Sequence, residues 1–142
     1  YVNQGPGNFS GLRASLAVAK GIGLAKNLSL FGYSTFLWSC ARFFNKQDII
    51  CSFAEVRKKF FIQKFDKKLN IIEKTKEVTI DGIIQAYDNK FKVIPQHMVK
   101  HFDKKIFKLK NINIVNLDHN ELEFLQLRGL LDKNLIKPLY LN

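Results

Sequence analysis

This chain of 142 residues has the length of one ordinary domain, and its 46% hydrophobic content, with 13% aromatic residues, excludes a disordered segment. Its net charge of +11 comes mostly from lysine and has two explanations, an acidic partner such as nucleic acid or the codon usage of an AT-rich genome. The two cysteines, Cys40 and Cys51, are not closely spaced and favour buried thiols in a reducing compartment over a disulfide or a metal knuckle.

The uncharged stretch at 27–41 is shorter than the ~20 apolar residues that a membrane-spanning helix needs. It also contains glycine, serine and threonine, and it divides into a strand followed by a helix. We therefore expect a cytoplasmic protein that does not interact with a membrane.

The first third of the chain is predicted to alternate short strands with helices. Ser10 is the expected N-cap of the first helix, and Asn27 is expected to end it in a left-handed conformation. Ser34 or Thr35 is expected to cap the second helix. The predicted elements are a strand at 1–3, a turn at 4–7, a helix at 10–26, a strand at 28–33 and a helix at 36–44.

From Asp48 onward, short β-rich runs separated by charged turns predict an antiparallel meander of strands. Helices and strands then alternate again, and the Lys-rich segment 96–111 is ambiguous. The whole pattern favours an α/β architecture. The predicted elements are strands at 48–53, 59–66 and 69–74, a helix at 79–87, strands at 91–94 and 112–115, a helix at 117–131 and a closing edge strand at 138–141.

The first predicted helix has an unusual surface, because at 100° per residue only a narrow stripe with Arg13 and Lys20 is polar. Glycine costs up to ~1 kcal/mol in a helix interior, so Gly21 and Gly23 call for the close approach of another backbone. We expect one face to cover a sheet and another to meet a partner helix. The two remaining faces consist of Leu12, Leu16, Ala19 and Gly23, and of Ala14, Val18, Gly21, Ile22 and Ala25.

A glycine-rich turn before a helix also suggests phosphate binding, but the spacing fits neither common motif. Gly11 is followed by Leu12 and Arg13 where a Walker loop has Lys and Ser or Thr, and Gly11 comes one residue late for a dinucleotide fingerprint that starts at Gly5. Backbone N–H groups at a helix start still attract anions, so phosphate binding remains the alternative interpretation of the turn.

The three histidines are candidates for metal binding or acid–base chemistry. His97 and His101 have the spacing that places two ligands on one helix face, but no third ligand is apparent, and we interpret them as surface residues. His119 stands at a helix start and is interpreted as part of its cap. The sequence therefore predicts no catalytic residue and no metal site.

The stretch 5–36, GPGNFSGLRASLAVAKGIGLAKNLSLFGYSTF, resembles the signature of the TsaB family of bacterial tRNA threonylcarbamoyladenosine biosynthesis proteins. Beyond it the resemblance fades to Glu55-Val-Arg57 and to the last residues, at 138–141. The residues in register with the signature are Gly5, Pro6, Gly7, Phe9, Gly11, Leu12, Arg13, Ala19, Lys20, Gly21, Gly32 and Ser34.

The resemblance implies an actin-like fold (RNase-H-like, ASKHA) with two related subdomains. Residues 1–46 would be the second half of the first subdomain, which is incomplete, and residues 47–142 would be the second subdomain. Members of the family begin with a strand carrying Asp-Thr-Ser or a similar stretch, a hairpin and a helix, all of which would precede Tyr1. We therefore expect the chain to be truncated at its N-terminus.

The resemblance also implies a non-catalytic subunit, which binds a TsaD-type paralogue that transfers the threonylcarbamoyl group to tRNA adenosine. In that paralogue the strand corresponding to 31–34 is followed by a metal-binding His-x3-His, whereas here that strand is followed by Thr35, Phe36, Leu37 and Trp38, with no histidine among them. A TsaE-type ATPase would belong to the same complex, tRNA would be contacted indirectly, and a homodimer is possible. No cofactor is expected, since ATP would be bound, if at all, by the partner complex.

The implied partner surface lies on the first helix, aimed by the signature turn. Its expected residues are Arg13, Ala17, Lys20, Gly21 and Leu24, and the turn consists of Gly5, Pro6, Gly7, Phe9 and Gly11. Two alternatives remain: a basic RNA-binding module, and a remnant of an actin-like nucleotide-binding protein.

Overall fold

Two β-sheets organise the chain in the computed structural model, which describes residues 1–141. The first sheet has three strands in the order β1-β2-β8, with β2 parallel to β1 and antiparallel to β8. Helix α1 connects β1 to β2, as a parallel pair requires. The elements are β1 (Val2–Gly5), α1 (Phe9–Lys26), β2 (Phe31–Ser34) and β8 (Asp132–Lys133).

The second sheet has five strands in the order β5-β4-β3-β6-β7. Strands β3, β4 and β5 form the predicted antiparallel meander, whereas β6 and β7 run parallel to β3. The strands are β3 (Ile49–Val56), β4 (Lys59–Asp66), β5 (Ile71–Val78), β6 (Lys92–Pro95) and β7 (Ile112–Val115).

Three further helices cover the second sheet, each begun by a side-chain cap. At the start of α2 the Ser34 side chain accepts a hydrogen bond from the N–H of Leu37 at 3.1 Å. Of the two predicted caps for this helix, Ser34 and Thr35, Ser34 is therefore the one that is confirmed. The ambiguous segment 96–111 folds mainly as two 3₁₀ helices. The elements are α2 (Thr35–Cys40), α3 (Ile80–Tyr87), α4 (His119–Leu127) and the 3₁₀ helices Ala41–Phe43, Gln96–His101 and Lys104–Lys108.

The core is divided unequally between the sheets. The larger cluster lies between the second sheet and the helices that cover it, and it contains both cysteines, which are free and buried as predicted. The smaller cluster consists of Val2, Leu16 and Ile136, with Ala19 and Leu30 packed against it. Since a fully buried aliphatic side chain contributes about 1.5–3 kcal/mol, α1 is held to the first sheet by only a few such contributions.

Two predicted element ends are wrong for local reasons. The last helix ends at Leu127 rather than at 131, because Gly129 adopts a left-handed φ of +69° and Leu130 donates to the carbonyl of Leu125 at 3.0 Å. Residues 138–141 do not form the predicted closing strand. Pro138 has no N–H to donate. The backbone hydrogen bond that joins this segment to β1 runs from Leu139 N–H to the carbonyl of Gln4 at 2.6 Å.

The division between 46 and 47 remains a prediction, and the last part of the chain returns to the first sheet. Strand β8 pairs with β2, and Ile136 packs in the small cluster below it. Among residues 1–141, none of the helices has both the length and the apolar character that crossing a membrane requires.

Lys92 is a fully buried lysine that closes the end of α3. Its ammonium donates to the carbonyl of Tyr87, the last residue of α3, at 2.6 Å, and to the carbonyls of Asp88 at 2.7 Å and Lys90 at 2.8 Å in the turn that follows. Burial lowers the pKa of Lys92, while these three acceptors favour its charged form.

We predict that Lys92→Met lowers the free energy of unfolding by about 1–3 kcal/mol, because it removes the ammonium donor from the carbonyls of Asp88 and Lys90, whereas the Tyr87 carbonyl still accepts from Lys90 N–H at 3.0 Å. Urea denaturation measures the change. Lys90→Met, at an exposed neighbour, is the matched control and is expected to stay within about 0.5 kcal/mol of the parent chain. Equal effects of the two substitutions would contradict the capping role.

Candidate functional site

The signature turn joins β1 to α1 at a sharply constrained glycine. Gly5 has a φ of +121°, and a Cβ at this position would lie 3.2 Å from both Leu12 Cδ1 and the carbonyl oxygen of Leu139. The Gly5–Pro6 peptide bond is cis. Backbone conformation and packing therefore both require glycine at position 5.

The start of α1 is capped by Asn8, and the prediction of Ser10 is wrong. The Asn8 side chain accepts a hydrogen bond from the N–H of Gly11 at 2.7 Å, and its carbonyl accepts from Leu12 at 3.0 Å. A Cβ on Gly11 would lie 2.9 Å from Asn8 Oδ1. The glycines at 5 and 11 thus have a structural explanation that needs no phosphate.

Aromatic packing holds the first turn of α1 against the end of the chain. The rings of Phe9 and Tyr140 have centroids 5.0 Å apart, and the Arg13 guanidinium lies 5.0 Å above the ring of Phe9. Phe9, predicted to belong to the turn, is the first residue of the helix. The contact places the cation of Arg13 at the start of the exposed side of α1.

One side of α1 packs on the first sheet, along the predicted face. Leu12, Leu16 and Gly23 are buried, and Leu16 is only 4% exposed. A Cβ on Gly23 would lie 3.2 Å from the side chain of Leu30, and Leu28 donates to the Gly23 carbonyl at 2.9 Å. Gly23 is therefore explained by the close approach of this chain's own backbone, as expected.

A second side of α1, which we call the outer face, is open to solvent and is centred about 110° around the helix from the buried residues. Its helical positions lie within about 100° of one another, so they form one continuous surface. Leu24 on this face is 85% exposed, while Val18 and Ile22, which are 62% and 53% exposed, lie on the adjoining face. The outer face consists of the five predicted partner-binding residues, all exposed: Arg13, Ala17, Lys20, Gly21 and Leu24.

Gly21 differs from Gly23 in having no neighbour. A Cβ added to it would meet no atom within 4 Å among the described residues. Nothing in this part of the fold explains a glycine at that position, which costs up to ~1 kcal/mol relative to alanine.

The histidines have surroundings of three different kinds. Both His97 and His101 are exposed residues, and His101 Nδ1 lies 3.9 Å from Glu55 Oε2. Burial of its ring, together with the neighbouring His101, lowers the pKa of His97. His119 Nδ1 lies 3.8 Å from Asp118, the residue that caps α4. Within residues 1–141, no three His, Cys, Asp or Glu side chains are gathered as a metal site requires.

Two clefts were not anticipated from the sequence. One, of about 740 Å³, adjoins the signature turn and is bordered by Arg57 and Lys59 at the β3–β4 turn. The other, of about 500 Å³, lies between the two sheets and includes Tyr33 and Gln63. Their linings combine segments that are distant in sequence, which explains why local patterns did not reveal them.

The buried thiols show no sign of reactivity. Burial raises the pKa of Cys40 to about 12, despite hydrogen bonding to Ser39 and Ser52, and burial also raises the pKa of Cys51. Thiols in this state are protonated at neutral pH and are poor nucleophiles.

Comparisons with known proteins identify the fold. No family model matches the chain, and no curated protein matches it. Among solved structures it is similar to YeaZ from Pseudomonas aeruginosa, with a TM-score of 0.60 and 14% identity over 98% of this chain and 71% of that one. It is also similar to an uncharacterized protein with similarity to peptidase YEAZ from the same organism, with a TM-score of 0.62 and 14% identity over 99% of this chain and 71% of that one. The chain has the actin-like α/β fold that the sequence predicted.

Proposed function

We propose that this chain is a TsaB-type, non-catalytic subunit for tRNA threonylcarbamoyladenosine modification, and that it binds a TsaD-type catalytic paralogue through α1. The observation that carries the proposal is the exposed outer face of a helix that begins at the signature turn, where Ala17, Gly21 and Leu24 lie beside two cations. The fold supports it, since YeaZ is a TsaB protein.

Exposed apolar area is the first argument for a partner on the outer face. Leu24, Val18 and Ile22 are each more than half exposed along one 18-residue helix. Single exposed apolar residues are normal on a protein surface, but contiguous apolar patches mark interaction sites. Val18 and Ile22 lie one turn apart on the face that adjoins the outer face, about 120–160° around the helix from Leu24, so a partner on the outer face would cover Leu24 and reach the edge of that apolar patch.

Gly21 is the second argument, because it permits close backbone approach from outside the chain. Small residues let two helices cross at a short interaxial distance, and Ala17 stands one turn before Gly21 on the outer face. A glycine that the described fold does not need is explained if a helix of the partner packs over it.

Charge is the third argument, and it favours a different chain over a second copy. The first 46 residues contain no Asp or Glu, and Arg13, Lys20 and Lys26 are exposed along α1. Two copies packed through this helix would bring like charges together, whereas a partner with acidic residues beside its own contact helix would neutralise them. A homodimer is therefore the less favoured assembly.

The residues after β2 support a non-catalytic role. Ser34 caps α2, and Thr35 is buried and accepts a hydrogen bond from Asn3 Nδ2 at 3.1 Å. Both hydroxyls have structural roles where the catalytic paralogue would carry metal-binding histidines nearby. In the proposed complex, ATP and the threonylcarbamoyl chemistry belong to the TsaD-type and TsaE-type partners, and this chain contacts tRNA indirectly.

We predict that Ala17→Trp weakens binding to the TsaD-type paralogue at least tenfold while leaving the melting temperature nearly unchanged. A bulky side chain in a tight helix contact typically costs 1–3 kcal/mol, and tenfold corresponds to about 1.4 kcal/mol. Calorimetric titration measures binding, and thermal melting measures the fold. Leu16→Trp is the matched control: it should lower the melting temperature, since Leu16 is buried against the first sheet. Unchanged binding by Ala17→Trp would exclude this face as the interface.

We further predict that Gly21→Ala stabilises the isolated chain by about 0.5–1 kcal/mol, the cost of glycine relative to alanine in a helix interior. The same substitution should weaken partner binding, because the added methyl group would occupy the contact. Gly23→Ala is the control and should bring no such gain, since its Cβ meets Leu30. Denaturant unfolding and binding measurements on both variants check this; a stabilised Gly21→Ala that binds normally would remove the second argument.

A further inference from the structure

The cleft between the two sheets has the dimensions and the lining of a small-molecule site. Its volume of about 500 Å³ falls in the range of ligand pockets. Leu37, Phe65, Leu69 and Leu130 provide apolar walls from separate parts of the chain. The outer face of α1 takes no part in it, so this site is independent of the proposed partner surface.

Gln63 on β4 is a polar residue that faces the cleft. It is only 6% exposed as a whole and lines the cleft. Its amide is not one of the fully buried side-chain groups that lack a hydrogen-bond partner, so the amide is open to the cleft rather than sealed in the core. A ligand in the cleft could therefore exchange hydrogen bonds with it.

The sheet is irregular at this position. Ile62 pairs with Lys76 and Lys64 pairs with Glu73, so two residues of β5 face Gln63 alone. Such β-bulges are over-represented beside active and binding sites. Thr75, one of the two bulged residues, has a buried hydroxyl oxygen without a hydrogen-bond partner. The bulge thus brings together the cleft-lining amide of Gln63 and a buried hydroxyl without a partner.

Most of the polar side chains that line the cleft are neutral amides and hydroxyls, and the two charged ones are Asp132 and Lys137. Tyr33 lines it, and burial raises the pKa of Tyr33, so its hydroxyl is protonated at neutral pH. The carboxylate of Asp132 already accepts a hydrogen bond from Gln4 Nε2 at 2.8 Å, and Lys137 is exposed at the rim. Amide and hydroxyl groups favour an uncharged ligand over an ion.

We propose that this cleft binds a small, planar, uncharged molecule that presents a carboxamide or lactam edge. Such an edge carries a hydrogen-bond donor beside an acceptor, and the Gln63 amide offers the complementary pair. The apolar walls enclose the ring of the ligand. The hydroxyl of Tyr33, which also lines the cleft, adds one further polar contact to the ligand.

Nicotinamide and uracil are suitable probes, with nicotinate as the charged control of nearly equal shape. Titrated into the ¹⁵N-labelled chain, the two neutral probes should produce saturable chemical-shift changes at the Gln63 side-chain amide and at Tyr33, Asn70 and Leu130. Nicotinate should bind at least tenfold more weakly. An absence of shifts in the cleft with both neutral probes, or equal binding of nicotinate, would overturn the proposal.

Gln63→Leu separates a ligand-binding role from a structural one. It should reduce probe affinity at least tenfold without lowering the melting temperature, because the amide that it removes is open to the cleft rather than sealed in the core. Gln85→Leu, at an exposed position on α3, is the matched control and should change neither quantity. Unchanged affinity, or a clearly lower melting temperature, for Gln63→Leu would overturn the proposal.

Leu130→Trp tests the same cleft from another wall. A tryptophan there should fill the ring site and abolish the shifts at Gln63, and full binding by this variant would contradict the assigned position. None of these results depends on partner binding. A negative result for the cleft would therefore leave the proposed function untouched, and the reverse also holds.

Discussion

The packing of α1 along one narrow stripe is the constraint on which the rest of the account depends. Leu12, Leu16 and Gly23 are its buried residues, and they leave the remaining circumference of an 18-residue helix in water. Helices in globular proteins derive most of their stability from a packed apolar face rather than from intrinsic propensity. A helix so rich in Ala, Val, Ile and Leu, yet buried along one stripe, is the basis on which a partner surface is proposed.

The core is divided unequally between the two sheets, and the smaller share belongs to the sheet that carries α1. The five-stranded sheet has helices, a large cluster of buried aromatic and aliphatic residues, and the capping lysine Lys92, so it supplies most of the stabilising burial. The three-stranded sheet depends on a small cluster around Leu16 and on the returning segment with Ile136. Association through α1 would therefore add apolar burial to the part of the fold that has least of it, and partner binding should stabilise this part most.

Much of this organisation was predictable from the sequence, and the exceptions have physical causes. The 3.6-residue period was enough to assign the buried face of α1. It did not identify the N-cap, because Asn8 and Ser10 are both good capping residues in the same turn. The predicted closing strand at 138–141 does not form, because Pro138 has no N–H to donate to a β-sheet hydrogen-bond ladder. The Gln63 cleft depends on contacts between distant segments, although the alternation of Phe61, Gln63 and Phe65 on one face of β4 was a signal that could have indicated a buried polar group.

Hydrogen–deuterium exchange, followed by mass spectrometry on the chain alone and mixed with the TsaD-type paralogue, tests whether α1 is the partner-binding surface. We expect peptides covering 13–25 to become protected in the mixture, with a smaller effect along β1 and β2, which pack beneath the helix. A stable complex in which α1 exchanges as it does in the isolated chain, with protection confined to the five-stranded sheet, would contradict this expectation.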